Sequence, residues 1–232
     1  MNNQNKWSQK EWSWREGGIL LFIVLVIIPI FVEGYLQRLI EQLLQNSLYG
    51  GTLIGAIMAI VFVLCTYFIA LKPYKLRWAS IGLRGFPLSY WKWIILWLMV
   101  LIVLSIGILL LMDLLQISWE NNKTEALKTD VNGTTILIGF ISAAIISPIY
   151  EEIFYRGFLY KWLRIKYGVA ISLLVSSFIF MIVHIPTYNT LPITFLSGLI
   201  FACTYEKTSS IIPAIMIHAA FNGIAILMTL IS

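Results

Sequence analysis

Apolar runs with few charged residues, most of them long enough to cross a bilayer, recur along this chain between short polar stretches. They lie near 17–35, 50–71, 92–112, 135–160, 168–185, 190–205 and 209–231. A helix needs about 20 apolar residues to traverse the hydrocarbon core. The stretch "LLFIVLVIIPIF" does not alternate as a membrane β-strand must. The pattern therefore predicts an all-α, polytopic membrane helix bundle with about seven transmembrane helices. The fifth and sixth runs share one uncharged segment, Tyr167 to Tyr205. It divides at "HIPTYNTLP", because Pro186 and Pro192 cannot both sit inside one regular helix. The sixth run is short, and a tilted or re-entrant course would suit it.

Composition agrees: 59% of residues are hydrophobic and 12% charged, against about one quarter charged in soluble domains. Positive charge is distributed unevenly. With seven spans, the N-terminus and the loops after spans two, four and six share one side. That side holds Lys6, Lys10, Arg15, Lys72, Lys75, Arg77, Arg84, Lys92, Lys161, Arg164, Lys166 and Lys207. The other holds Arg38, Lys123 and Lys128. Basic residues collect on the cytoplasmic side, so the expectation is a multi-pass cell-membrane protein with its N-terminus cytoplasmic and its C-terminus outside. The net charge of +5 then reflects this bias and anionic lipid contact, with no nucleic acid partner. Cys65 and Cys203 fall inside spans and read as small buried residues. The opening "MNNQNKWSQKEWSWREGG" has no signal-peptide pattern and reads as a Trp-rich interfacial segment.

Against this background "SPIYEEIFYRGF", residues 147–158, is out of place. Large apolar residues continue at helical spacing through "EEIFYRGFLYKWLRI" to Lys161 and Arg164. Glu151 then stands roughly 21 Å above the cytoplasmic helix end at 1.5 Å per residue. The same count puts His184 about 24 Å, His218 about 14 Å and Asn222 about 20 Å above their own helix starts. These are the chain's two histidines. Ionisable groups at such depth cost about 3 kcal/mol each on insertion scales. A single histidine is often a packing residue, a Glu–Arg pair four apart is often structural, and an asparagine often joins helices. Convergence of all of them on one layer favours a site.

Spacing assigns roles. His218 and Asn222, four apart, share a helix face. Glu151 and Glu152 are about 100° apart and cannot both face one point. Glu152 can pair with Arg156, leaving Glu151 to aim at the histidines, and Pro148 can kink the helix and admit water. Such a set suits activation of a water against an amide. Glu151 takes the proton, His184 positions the water or a metal, and His218 with Asn222 stabilises the oxyanion.

The ordered motifs resemble the CAAX protease and bacteriocin-processing family of intramembrane endopeptidases, which includes type II CAAX prenyl endopeptidases and bacterial self-immunity proteins. They are E-E-x-x-x-R at Glu151, Glu152 and Arg156, F-x-x-x-H at Phe180 and His184, and H-x-x-x-N at His218 and Asn222. The resemblance covers roughly 135–231. It implies a catalytic core built from the last four helices, residues 135–232, after an N-terminal part, 1–134, of three helices. It also implies cleavage of peptide bonds at the membrane, with Glu151, His184, His218 and Asn222 catalytic and Glu152, Arg156 and Phe180 in support. Members have been described as metalloproteases and as using a metal-free, glutamate-activated water. Glu151, His184 and His218 could hold zinc with an open position. The implied partner is a membrane-associated peptide or protein, such as a leader peptide, bacteriocin or signalling peptide. The alternative is a non-catalytic regulatory or immunity partner of another membrane protein. A small transporter is more distant, since no repeat of broken helices is present.

Overall fold

The computed structural model describes residues 12–118, 125 and 132–231. Lys6, Lys10, Lys123, Lys128 and most of the expected interfacial segment lie outside the described residues. The chain forms α1 (Trp14–Leu44), α2 (Ser47–Tyr74), α3 (Leu88–Leu114), α4 (Gly133–Ile182), α5 (Leu191–Thr208) and α6 (Ile212–Ile231). All but α5 are long and apolar enough to cross a membrane. No strand occurs among the described residues. The all-α, polytopic class is what the apolar runs predict, and the fourth and fifth runs fall in one 50-residue element, α4.

That element is not straight. Gly168 adopts φ 80° and ψ −176°, a conformation that favours glycine, and interrupts the helix. A continuous helix would hold residues 155 and 180 about 37 Å apart, yet the Tyr155 and Phe180 rings are 4.9 Å apart. The chain therefore doubles back at Gly168, and α4 is a hairpin of two arms. The second arm ends at Ile182, before the expected Pro186–Pro192 break, and α5 packs alongside it.

The helix ends have local causes. Ser13 and Glu16 form a reciprocal capping box at α1, and Asn46 and Asn132 cap α2 and α4. Inside α1, residues Ile23–Leu36 take wider π-type turns around Pro29, which has no N–H to donate. Near its start α1 lies close against the first arm of α4. A Cβ on Gly17 would sit 2.2 Å from the Trp162 ring.

At one end of the bundle the segments after α2 and α5 are bonded together. Arg84 Nε donates to the Ser209 carbonyl at 2.9 Å, and Ser210 Oγ to the Arg84 carbonyl at 2.5 Å. The Ile211 amide donates to Gly82 at 2.9 Å. Lys161 Nζ reaches the Ser80 carbonyl at 2.7 Å, and Arg164 pairs with Glu206 at 3.1 Å. The basic loops after spans two, four and six thus gather at one end. At the other end Asn189 Nδ2 donates to Ser118 at 3.4 Å.

The centre of the bundle is the first arm of α4, where every residue from Ile153 through Leu163 is buried. Around it packs one core that draws on both halves of the chain, from Trp12, Leu20 and Phe62 to Phe180, Phe201 and Ile217.

Candidate active site

The two glutamates occupy a short α-helical stretch, Ser147–Glu152, between π-type turns at Ile141–Ile146 and Ile153–Tyr160. Pro148 is the local reason for the first irregularity, since it cannot donate to the preceding turn. The Ser147 amide bonds five residues back, to Ser142. Widened turns of this kind recur at functional sites because they re-aim side chains.

Glu152 is fully buried and saturates one oxygen. Its Oε1 accepts from Arg156 Nη1 at 2.9 Å and from His218 Nδ1 at 3.0 Å. Arg156 is held in turn by the Gly198 carbonyl at 3.1 Å, and its guanidinium lies 4.3 Å from the Phe180 ring centre and 5.0 Å from that of Phe201. Two aromatic faces and two acceptors compensate a buried cation. His218 stacks on Phe201 at 4.6 Å, which fixes the plane of its ring.

Glu151 approaches the opposite edge of the same imidazole. Its Oε2 lies 3.8 Å from His218 Nε2 and is buried without a hydrogen-bond partner among the described residues. Its Oε1 accepts from the Ser147 hydroxyl, which also contacts Tyr150 Oη. The expected Glu152–Arg156 pair is present. The expectation that the two carboxylates cannot share a target needs correction: both reach His218, because the ring's two nitrogens lie on different edges and span the angle between them. The result is a chain, Arg156–Glu152–His218–Glu151. Glu152 accepts the Nδ1 proton, which directs Nε2 at Glu151.

His184 stands two residues beyond the end of α4. Its Nδ1 is 2.7 Å from the Phe180 carbonyl, and a carbonyl only accepts, so Nδ1 carries the proton. Phe180 thereby links the two histidines, its ring 4.9 Å from His184 and 5.9 Å from His218. Asn222 does lie one turn beyond His218, but its amide donates to the Ala143 carbonyl at 2.9 Å.

Beside Glu151 is a cavity of about 130 Å³. Glu151, Ser147 and His184 line it, whereas Glu152, His218 and Asn222 do not. Glu33 of α1, Tyr150 and Tyr155 also line it, and sequence reasoning assigned none of these three a role. The signal for Glu33 was available: an acid inside "IPIFVEGYL", within the first apolar run. Glu151, His184 and His218, the expected metal ligands, do not close into a donor cluster. Among the described residues no group of three or more His, Cys, Asp or Glu side chains is arranged to hold a metal ion.

Residues 133–224 match the family described as type II CAAX prenyl endopeptidase Rce1-like. The chain is also 32% identical over 111 residues to "Putative membrane peptidase YdiL" of Bacillus subtilis (strain 168). That alignment covers 48% of this chain and 44% of the relative, so it spans less than half of the relative's length. No solved structure matches. The family match encloses Glu151 and Glu152, both histidines and Asn222, so this segment is similar to the type II CAAX prenyl endopeptidase family at the residues that build the site.

Proposed function

We propose that the protein is an intramembrane endopeptidase that cleaves a membrane-associated peptide or protein with a water activated by Glu151. The observation that carries this reading is the charged chain from Arg156 through Glu152 and His218 to a buried Glu151 oxygen beside a cavity. A water in that cavity attacks the scissile carbonyl carbon while Glu151 takes its proton. The C–N bond then breaks, and Glu151 returns the proton to the departing nitrogen. Glu152 and Arg156 hold His218 so that, when its ring carries both protons, Nε2–H donates to the developing oxyanion. Asn222 is the second donor and acts once its amide leaves Ala143. His184, oriented through Nδ1, positions the water.

The substrate class proposed is a leader peptide, bacteriocin or signalling peptide, with processing or self-immunity as the role. No step here is routed through a metal. Metal analysis of purified protein, with activity before and after chelation, decides that point, and full activity in metal-free protein would remove a metal from the mechanism. The bound state of Asn222 also suits the competing reading of a non-catalytic membrane partner. Peptide cleavage in lipid nanodiscs by the wild type and Glu151→Gln separates the two. Equal processing by both proteins would leave the peptidase reading without its base.

For orientation, the proposal is a cytoplasmic N-terminus, on the charge bias. Reporters fused after Lys75 and Lys166 should stay inside, and one after Glu125 should be exported. An exported Lys166 fusion reverses the arrangement.

A further inference from the structure

Two tyrosines line the cavity beside Glu151, and their hydroxyls differ in what they touch. Tyr150 is engaged: its Oη lies 3.2 Å from the Ser147 hydroxyl, which itself donates to Glu151. Tyr155 is 2% exposed, and its hydroxyl makes no hydrogen bond among the described residues. The Ser176 and Thr204 hydroxyls also lack partners, but they are sealed inside the packing. The Tyr155 oxygen is not sealed, and the open space that this side chain borders is the cavity. Three aromatic neighbours fix its ring: Phe154 and Phe180 stand edge-to-face at 4.9 Å, and Phe62 lies at 6.1 Å. Tyr155 also follows Glu151 by four residues, the spacing that puts two side chains on one helix face.

A buried hydroxyl left without a partner costs about 1–3 kcal/mol, so one that faces a reaction space calls for an acceptor there. Glu151 on the same wall supplies the base, and a fixed neutral donor supplies the complementary function. His218 and Asn222 do not line this cavity, and the Asn222 amide is held by the Ala143 carbonyl. Tyr155 needs neither a released partner nor an added proton in order to donate. We propose that Tyr155 is a further catalytic residue, whose hydroxyl donates a hydrogen bond to the carbonyl oxygen of the scissile peptide bond. This role rests on the peptidase reading and adds to it the donor on the cavity side. As the water oxygen bonds to the carbonyl carbon, the C=O π pair moves onto the carbonyl oxygen. The Tyr155 hydroxyl bonds to that oxyanion and keeps its own proton. When the C–N bond breaks, the pair returns to re-form the carbonyl, and the departing nitrogen takes the proton from Glu151.

The test uses the full chain in lipid nanodiscs and two synthetic membrane peptides of about 20 residues. Both are Leu/Ala-rich with a central Gly-Gly, and in the second a phosphinate replaces the central amide. The phosphinate mimics the tetrahedral oxyanion and is not cut. Cleavage of the first peptide, binding of both and the melting temperature are measured for the wild type and Tyr155→Phe. The wild type should bind the phosphinate peptide more tightly than the amide peptide. Tyr155→Phe should lose about 10–100-fold of the phosphinate affinity, the scale of one hydrogen bond to a charged group. Its kcat should fall about 10²–10³-fold with KM nearly unchanged, the mark of an interaction made in the transition state. Its melting temperature should match the wild type, because the hydroxyl has no partner to lose. An undiminished phosphinate preference in Tyr155→Phe overturns the proposal. A large drop in the melting temperature of that variant does so as well, since it would make the hydroxyl a packing group. If the wild type binds the two peptides equally and cuts neither, the peptidase reading fails and the proposal with it. A preference that depends on Tyr155 without cleavage keeps the donor and removes support from the peptidase. Cleavage that persists unchanged in Tyr155→Phe keeps the peptidase and removes the donor.

Discussion

The third helix and the first arm of α4 are both long, apolar and helical, yet they have opposite environments. α3 is the most apolar of the long helices and buries only Ile94, Leu101, Ser105 and Met112, one narrow stripe. Most of its remaining surface faces outward, as at Val103, Leu110 and Leu114. The arm of α4 contains Glu151, Glu152 and Arg156, and from Ile153 to Leu163 it is buried on every side. In water the more apolar helix would be the central one. In lipid that ordering reverses, because hydrocarbon solvates leucine as well as a protein core does. What a membrane protein must take inside is its charge, together with the aromatic and backbone groups that compensate it.

Substitutions in the two regions should therefore differ in kind as well as in size. The largest effect expected is on chemistry. Glu151→Gln should lower the cleavage rate by about 10²–10⁴-fold while leaving the melting temperature in detergent close to the wild type. Its carboxylate holds only Ser147 firmly, and Gln can accept the same bond. Glu152→Gln should behave differently despite being its neighbour. Removing that charge leaves Arg156 and His218 with an impaired buried acceptor, a loss on the order of 3–5 kcal/mol for a broken buried pair. Thermal melts of Glu152→Gln and Arg156→Ala should both fall well below those of Glu151→Gln. An unstable Glu151→Gln beside a stable, inactive Glu152→Gln would exchange the roles of base and support.

Packing should give the next largest contrast. A Cβ on Gly157 in the buried arm would lie 2.9 Å from the Ile81 carbonyl oxygen, where backbone cannot give way. Gly157→Ala should destabilise by about 1–3 kcal/mol. Gly107 of α3 has nothing within 4 Å of the equivalent position. Gly107→Ala should be neutral or stabilising by up to about 1 kcal/mol, the helix-propensity difference. Melting temperatures of the two variants measure this directly, and equal destabilisation would mean that α3 is not lipid-facing.

Much of this arrangement was legible from spacing. The apolar runs specified a helical membrane bundle, and the break between Ile182 and Leu191 fell where two prolines require it. Four-residue spacing was enough to find the Glu152–Arg156 pair and to keep Asn222 on the helix that carries His218. Spacing within one helix says nothing, however, about how that helix is rotated against its neighbours. For that reason the bond from Glu152 to His218 and the anchoring of Asn222 on Ala143 were not legible. Neither was the position of Glu33, whose helix is separated from the two glutamates by more than one hundred residues of chain.

The residue types and their order determined what this chain can be: a bundle of membrane helices carrying a buried acid pair, a compensating arginine and two histidines. Local chemistry decides those features, since charge burial, proline and helical period act over a few residues. Tertiary packing alone decided which carboxylate oxygen is satisfied and which is left beside the cavity. It also decided that one imidazole joins both glutamates, and that α1 closes the far wall with Glu33. Those outcomes depend on the rotation of each helix about its axis, set by contacts such as Gly17 on Trp162 and Phe180 between the histidines.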